Sequence, residues 1–504
     1  MASPTLLARN ATLSLLTEGW IFLVLVAAMP RLVAFLGETS FGLFSLALVA
    51  IGYLTFLDVG VSRAATKFIS EHLAEKDIDA AKEIIRTALV TNLTLGIVGG
   101  LAVVALSPFL IHSIFKVSAD LEKQAWLVCC IVALSVPVLL MHGVLRAVLT
   151  SFQRFGWINL VNALVTTVQW GAACWLAWRG YGVAAVVLVT VVTRMVAVVA
   201  YGVLVFRLVP GSGRPRVWGL VGLLKLLRFG SWVTVSQLVG PVLVFLDRFL
   251  IASFLSLGAV TLYTVPYEAM TRLRIIPSSL ASTLYPALSE RGKEEEKTNL
   301  QGLYGGSVRY LLLALLPCLA FLLVLSPDIL TLWMGGQFAK DASAVLQILA
   351  VGAFANALAY VPYTALQALG RPDLTGKFHV LEVPVYIGIC IFLIPRWGIT
   401  GAALASTLRF VLDAALLFWA AQRYGSCSLR KVWMQCMPIA VVGTLLATIM
   451  VGIQFFLHTD LVRLVAGLIA VALYFLASWW FVLSARERPF IARALGKFRQ
   501  EPAS

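Results

Sequence analysis

Two charged residues interrupt an apolar stretch of the chain, VLVFLDRFLIASFL at 242–255, where Asp247 and Arg248 stand side by side. An ionisable group is costly in hydrocarbon and usually marks a site or a pathway when it is retained there. Comparable apolar stretches contain six arginines and five carboxylates: Glu18, Arg31, Arg194, Asp247, Arg248, Glu268, Arg272, Arg274, Glu382, Arg409 and Asp413. Because arginine stays charged and binds phosphate oxygens bidentately, this set favours an anionic ligand, such as a diphosphate, over a cation.

Four of these charges have a partner of opposite sign one helical turn away on the same predicted helix. Glu268 and Arg272 are four residues apart, as are Arg409 and Asp413, so each pair shares a helix face. Each pair therefore has two interpretations, a structural ion pair that fixes helix packing or part of a functional site. We predict that the arginines as a group bind substrate. For the carboxylates we predict coupling to a proton or sodium ion, because a desolvated carboxyl group readily takes up a proton. These are Glu18, Asp247, Glu268, Glu382 and Asp413.

Polar residues also recur along one face of two apolar stretches. In each of two sets the residues are spaced as they would be on one helix face. The first set is Asn159, Asn162, Thr166 and Gln169, and the second is Asn356, Tyr360, Thr364 and Gln367. Such faces either line a wet interior or bond one helix to another. We predict substrate contacts from Asn162, Tyr267, Asn356 and Tyr360, and further aromatic stacking on sugar rings from Tyr363 and Trp170.

The elements that position these side chains are long and apolar. Of the 504 residues, 60% are hydrophobic and only 12% are charged. These are too few charges to cover a soluble protein of this length. One bilayer crossing takes about 20 apolar residues. The sequence predicts an all-α polytopic membrane protein with fourteen transmembrane helices, at 12–36, 41–59, 84–114, 122–148, 156–178, 182–207, 229–255, 258–289, 304–326, 342–368, 374–395, 399–422, 432–457 and 460–484.

The connections between these helices, and the cysteines, exclude several classes of function. None of the connections reaches the roughly 50 residues of a small catalytic domain, so we expect no enzyme. The seven cysteines lie in or beside predicted helices without a CxxC motif or a histidine cluster. Buried cysteines of this kind act as small apolar residues, so we expect no metal or cofactor.

Lysines and arginines predict the orientation in the membrane. With the N-terminus inside, 27 of the 39 fall on the cytoplasmic side, six fall outside and six lie at membrane depth. Positive charge is enriched in cytoplasmic loops, so both termini are predicted to be cytoplasmic. The net charge of +15 then reflects topology and gives no reason to expect nucleic acid.

A weak internal repeat relates the two halves of the chain. At one constant offset, Phe44 falls on Tyr263 and Ser107-Pro108 falls on Ser326-Pro327; slightly out of that register, Arg31 falls on Arg248. The repeat predicts two six-helix lobes around a central cleft. The predicted divisions are an N-terminal lobe (1–208), a basic cytoplasmic linker (209–228), a C-terminal lobe (229–424), two appended helices (425–484) and a basic cytoplasmic tail (485–504).

Several segments resemble a known family. GLFSLALVAIGYLTFLDVGVSRAATKFISEH (42–72), LDRFLIASFLSLGAVTLYTVPYEAM (246–270) and GITGAALASTLRF (398–410) are similar to bacterial polysaccharide-transporter flippases for O-antigen and exopolysaccharide units. Their superfamily includes the MATE (multidrug and toxic compound extrusion) drug exporters and the peptidoglycan lipid II flippase. The resemblance implies a MATE-like fold in the inner membrane and alternating access. It also implies movement of an undecaprenyl-diphosphate-linked glycan to the periplasmic leaflet, with a polysaccharide polymerase and chain-length proteins as partners.

Three other functions compete with that of a flippase. A MATE-type drug or cation antiporter predicts an acidic cleft, which the arginine content disfavours. A membrane glycosyltransferase or polysaccharide polymerase would need a long catalytic loop outside the membrane. A purely structural scaffold would leave the charges at membrane depth unexplained.

Overall fold

The structure is a computed structural model, and it describes residues 4–114, 119–210, 240, 242–289, 297–425, 428–483 and 488. Three predicted segments lie wholly or mostly outside the described residues: the basic linker beyond residue 210, the start of the predicted helix at 229–255, and the tail at 485–504 apart from residue 488.

All regular secondary structure in the described ranges is helical. The helices are α1 (Pro4–Leu36), α2 (Glu38–Tyr53), α3 (Val61–Ala74), α4 (Ile78–Phe109), α5 (Ala119–Ser151), α6 (Phe155–Trp178), α7 (Val183–Leu208), α8 (242–254), α9 (Leu257–Thr271), α10 (Ile275–Ser289), α11 (Lys297–Met334), α12 (Gly336–Ala368), α13 (Pro372–Gly425), α14 (Leu429–Phe456) and α15 (Asp460–Phe481). Short 3₁₀ turns follow α2 at Leu54–Asp58 and α9 at Arg272–Arg274, and a π turn follows α4 at Leu110–Ile114.

Within the described ranges, eleven helices are long and apolar enough to cross a membrane. This confirms the prediction of an all-α polytopic membrane protein. One of the eleven is α13, which has 54 residues. A straight helix of that length would measure about 80 Å, against a bilayer core of about 30 Å. Gly398 has a φ of 58° and divides α13 into two arms, 372–397 and 399–425.

Two predicted elements differ in kind from the structure. The helix expected at 258–289 is interrupted by the 3₁₀ turn at Arg272–Arg274, so α9 and α10 have 15 residues each. The segment from 60 to 82, predicted to be a connection, contains the helix α3. This helix is amphipathic, with Val61, Ala64 and Phe68 buried on one face.

Contacts divide the chain into two compact units. The first comprises Met1–Val265 and Ile387–Ala402, and the second comprises Pro266–Tyr386 and Ala403–Ser504. In the first unit, α3, α4, α5 and α7 enclose a core that includes Ile84 and Tyr201. In the second unit, α11 packs against α12 and α14 around a core that includes Tyr304 and Val361.

Candidate functional site

A cavity of about 370 Å³ lies within the second unit, in the size range of small-ligand sites. Three elements of that unit contribute its polar lining: the 3₁₀ turn after α9, one face of α12, and both arms of α13. The residues that line it are Arg274, Asn356, Ala359, Tyr360, Tyr363, His379, Asp413 and Leu417. Arg274, Asn356, Tyr360 and Tyr363 were all predicted from the sequence to contact substrate, and the fold brings them together around one space.

Arg274 is exposed at the cavity and hydrogen-bonded to one of its tyrosines. It is the last residue of its turn, is exposed, and its Nε donates to the hydroxyl of Tyr360 at 3.3 Å. A smaller void of about 20 Å³ is also lined by Arg274 and Asn356, together with Tyr267. This void is large enough for one water. The guanidinium group is thus oriented by a tyrosine while it borders open space on two sides.

Four charged or titratable side chains form a cluster next to this cavity, which we call the buried quartet: His379, Glu382, Arg409 and Asp413. Glu382 is only 1% exposed, and its Oε2 lies 4.0 Å from the Arg409 Nη1. The Nε2 of His379 lies 3.8 Å from the Asp413 Oδ1. An imidazole nitrogen of His379 and carboxylate oxygens of Glu382 and Asp413 all lie within 4.8 Å of one another.

The quartet changes the interpretation of one predicted pair. Arg409 and Asp413, expected to pair along one helix face, instead have close partners on the first arm of α13, Glu382 and His379. The Arg409 guanidinium also lies 4.2 Å from the centre of the Phe410 ring. For Glu268 and Arg272, which are both half-buried, the expected ion pair stays a prediction.

Asp247 and Arg248 are buried within the first unit. Asp247 accepts hydrogen bonds from the hydroxyl of Tyr263 and, at 2.8 Å, from the backbone nitrogen of Arg248. The Arg248 side chain, 0% exposed, donates from Nη1 to the carbonyl oxygen of Val244 at 3.0 Å. Both residues therefore stabilise α8 and its contact with α9, and binding of a headgroup by Arg248 would require the residue to be uncovered.

The other predicted residues of the first unit are dispersed. Arg31 and Glu18 are exposed on α1, whereas Arg194 on α7 and Asn162 on α6 are half-buried. Trp170, expected to stack on sugars, is buried and packs edge-on against Phe44.

The polar face of α6 contributes to helix packing. Asn159 donates to Ser14 at 3.1 Å and Gln169 to Thr190 at 3.3 Å. For these two residues the structure supports the interpretation in which polar residues bond one helix to another.

Comparison with known proteins places the chain in a family. A family model described as polysaccharide biosynthesis protein matches residues 31–343. The chain belongs to this family. It is 26% identical over 398 residues to a putative O-antigen transporter of Shigella flexneri, covering 79% of this chain and 93% of that protein. It is 23% identical over 384 residues to the probable flippase AglR of Haloferax volcanii, covering 76% of each.

Solved structures show which fold this member of the polysaccharide biosynthesis family has. The lipid II flippase MurJ in its inward closed conformation superposes with a TM-score of 0.71 at 13% identity, covering 92% of this chain and 98% of that chain. An inward-facing MATE family multidrug transporter gives a TM-score of 0.62 at 16% identity, covering 82% and 95%. The MATE-like fold expected from the sequence is therefore confirmed.

Sequence reasoning missed several polar residues of this family member. Asp58 and Asn92 are buried and bonded to each other, yet neither was included among the charges and polar faces considered. His379 was also missed, although its position three residues before Glu382 puts the two on one helix face. Asp58 falls inside the helix predicted at 41–59 but was not counted among the charges at membrane depth, although its spacing from Ser62 matches one helical turn.

Proposed function

We propose that this chain is a flippase that moves a lipid-linked oligosaccharide between the leaflets of the inner membrane during surface polysaccharide synthesis. One observation carries the proposal. In a multi-pass chain of the polysaccharide biosynthesis family, a single cavity combines an arginine with tyrosines and an asparagine. Relatives are named as an O-antigen transporter and as a flippase, and we accordingly assign transport and not enzymatic catalysis.

The chemistry of the cavity suits the head of such a lipid. Arg274 offers the bidentate donors that match a diphosphate. Tyr360 and Tyr363 offer ring faces and hydroxyl groups to sugars, and Asn356 offers an amide that both donates and accepts. The polyprenyl chain needs no protein site because it stays in the bilayer, so undecaprenyl diphosphate carrying a short glycan is the substrate that we propose.

The finer architecture is part of this proposal. We infer fourteen transmembrane helices in two six-helix lobes, 1–208 and 229–424, with two further helices and both termini in the cytoplasm. The division of α13 at Gly398 into two arms supports two crossings in place of one. The helix α8 and the pair α9–α10 lie where the seventh and eighth crossings are predicted. Alternating access of the two lobes would then expose the head to each side in turn.

We further infer that the coupling ion, a proton or sodium, acts at Glu382 and Asp413. Both carboxylates are buried, and Asp413 also borders the cavity. Of the other predicted coupling residues, Asp247 is bonded to Tyr263, Glu18 is exposed and Glu268 is half-buried.

A drug or cation antiporter of the MATE kind remains the second candidate function, because its fold is shared. Its cleft was expected to be dominated by acid. The cavity wall here carries Arg274 beside the one carboxylate of Asp413, so it is not dominated by acid as the antiporter predicts.

The test replaces Arg274 by glutamine and measures transport of the lipid-linked glycan. In a host that lacks its own flippase and expresses this chain, mass spectrometry quantifies the glycan that accumulates on the cytoplasmic leaflet. We expect Arg274→Gln to lower the rate about tenfold or more, the worth of one charge-assisted hydrogen bond. The matched control is Arg396→Gln, an exposed arginine that bonds the Phe392 carbonyl of its own helix. Equal rates in the two variants, or drug sensitivity without glycan accumulation when the protein is absent, would refute the proposal.

A further inference from the structure

The buried quartet contains a carboxylate whose oxygens are unusually poorly satisfied. Within the part of the chain that the structure describes, neither Oε1 nor Oε2 of Glu382 has a hydrogen-bond partner, and Asp413 Oδ1 and Arg409 Nε have none either. A buried polar atom left in this state costs free energy, so such groups call for an explanation. The Asp413 carboxylate lies close to Glu382, and the Arg409 guanidinium, at 4.0 Å from Glu382 Oε2, is beyond hydrogen-bond distance.

The charge of the quartet favours a proton as the group that satisfies it. With both carboxylates ionised, Arg409 positive and His379 neutral, the four groups sum to one negative charge. A single proton neutralises them and supplies the donor that the Glu382 oxygens lack. A divalent metal would bring the quartet to a net positive charge beside a fixed guanidinium. A sodium ion carries the same charge as a proton, and the sodium arm of the binding experiment below distinguishes the two.

The quartet is also in electrostatic contact with the proposed headgroup site. His379 and Asp413 line the same cavity as Arg274. The groups that face this space are Arg274 from the turn after α9, Asn356, Tyr360 and Tyr363 from α12, and His379 and Asp413 from α13, with Glu382 and Arg409 directly behind them. Adding a proton removes a negative charge from the wall of a cavity in which an anion would bind.

We propose that His379, Glu382, Arg409 and Asp413 hold one exchangeable proton, and that this proton and an anionic diphosphate head bind cooperatively. The proposal rests on the proposed function, since it takes the head to be a diphosphate. Protonation strengthens head binding, and by reciprocity the bound head strengthens proton binding. Because the coupling between proton and head is favourable, the two do not displace one another from the cavity. The proton instead acts as a gate on head binding.

The binding experiment uses the full-length protein in lipid nanodiscs with geranylgeranyl diphosphate as the probe. Its Kd is measured from about pH 6 to about pH 8, the range in which histidine and perturbed carboxyl groups titrate. We expect the wild-type Kd to rise about tenfold across this range, within the span of typical coupling factors. Glu382→Gln is a neutral mimic of the protonated acid, so it should bind the probe tightly. Its Kd should change with pH only as far as the diphosphate of the probe itself titrates.

A matched control tests whether removing any other carboxylate from the helices that line the cavity changes the pH dependence of the Kd in the same way. Asp341 lies exposed at the start of α12, where it accepts from Gln337 at 3.1 Å. Asp341→Asn should keep the wild-type pH profile. Replacing potassium by sodium at constant ionic strength should leave the wild-type Kd unchanged. If sodium changes the Kd of the wild type and not that of Glu382→Gln, the quartet binds sodium in place of a proton and the proposal is overturned.

Infrared spectroscopy tests proton occupancy without any probe. The difference spectrum between the two pH values should contain a carboxylic acid band in the wild type that is missing from Glu382→Gln. Absence of the band in the wild type, or weaker binding by Glu382→Gln with an unchanged pH profile, overturns this proposal. A band without probe binding at any pH overturns the proposed function instead, and with it the cooperative part of this inference.

Discussion

The junction between α2 and α3 depends on a buried carboxylate, and its removal should destabilise the protein measurably. Asp58 is 8% exposed and accepts hydrogen bonds from the Ser62 backbone nitrogen at 3.1 Å, the Ser62 hydroxyl at 2.7 Å and the Asn92 side-chain nitrogen at 2.5 Å. The two residues that follow it, Val59 and Gly60, both have positive φ, at 47° and 71°. The carboxylate thus holds the chain where a membrane helix ends and the amphipathic helix α3 begins.

The magnitude follows from the bonds that Asp58→Ala would remove. One hydrogen bond to a charged group contributes about 1.5–3 kcal/mol, and bonds to one acceptor are not additive. Asn92 retains a second acceptor, the Leu140 carbonyl oxygen at 3.3 Å, which limits its loss. We therefore expect Asp58→Ala to lower the free energy of unfolding by about 3 kcal/mol, and Ser62→Ala, which removes only the hydroxyl bond, by about 1 kcal/mol.

Unfolding by SDS in mixed micelles, followed by tryptophan fluorescence, measures both changes. In the double variant the Ser62 substitution should cost almost nothing further, because its partner is already gone. Asp79→Ala is the matched control, since that carboxylate is exposed and pairs with Lys82 in the first turn of α4. The reasoning fails if Asp58→Ala and Asp79→Ala unfold at the same SDS fraction, or if the effects of Asp58→Ala and Ser62→Ala simply add.

Two further predictions concern packing and a second buried charge. A methyl group at Gly42 would overlap the Leu257 carbonyl oxygen, whereas one at Gly202 would meet open space. Gly42→Ala should therefore lower stability in SDS unfolding by about 1–3 kcal/mol or more, and Gly202→Ala should not. Asp328, 2% exposed, lies 3.0 Å from the Arg463 Nη1. Arg463→Ala leaves this buried carboxylate unpaired and should cost about 3–5 kcal/mol. The double variant Asp328→Ala/Arg463→Ala should be more stable than Arg463→Ala alone; a less stable double variant would contradict the pairing.

Hydropathy predicted the long membrane helices well because each is a long apolar run with polar ends. The predicted helices at 156–178 and 182–207 end within one residue of α6 (Phe155–Trp178) and α7 (Val183–Leu208). The same reasoning missed α3, which is too polar to be a crossing. Its buried residues do follow helical spacing, so amphipathic periodicity would have found it.

The candidate site could be predicted only in part. The face of α12 that carries Asn356 and Tyr360 follows from spacing along one helix, and the structure lines the cavity with both. The pairing of Glu382 with Arg409 joins two arms of α13 that are separated by the turn at Gly398. Spacing within one helix instead suggested Arg409 with Asp413. Contacts between elements depend on how helices pack, and a single sequence contains little information about that.

The internal repeat clarifies what the two aligned arginines have in common. Arg31 and Arg248 each donate from Nη1 to the carbonyl oxygen four residues earlier, Ala27 at 3.3 Å and Val244 at 3.0 Å. Their local conformations are therefore alike, as a repeat requires. Their surroundings are not: Arg31 is exposed, whereas Arg248 is buried.

The residue before each arginine also differs between the halves. Asp247 precedes Arg248 and lies 3.9 Å from its guanidinium, and the position equivalent to Asp247 in the first half is Pro30, which carries no charge. A buried guanidinium needs such a counter-charge, because desolvating an unpaired ion is costly. The second half thus contains the compensated, structural copy of the arginine. The first half retains the exposed copy. The headgroup role predicted for both arginines stays a prediction, and exposure favours Arg31 over Arg248.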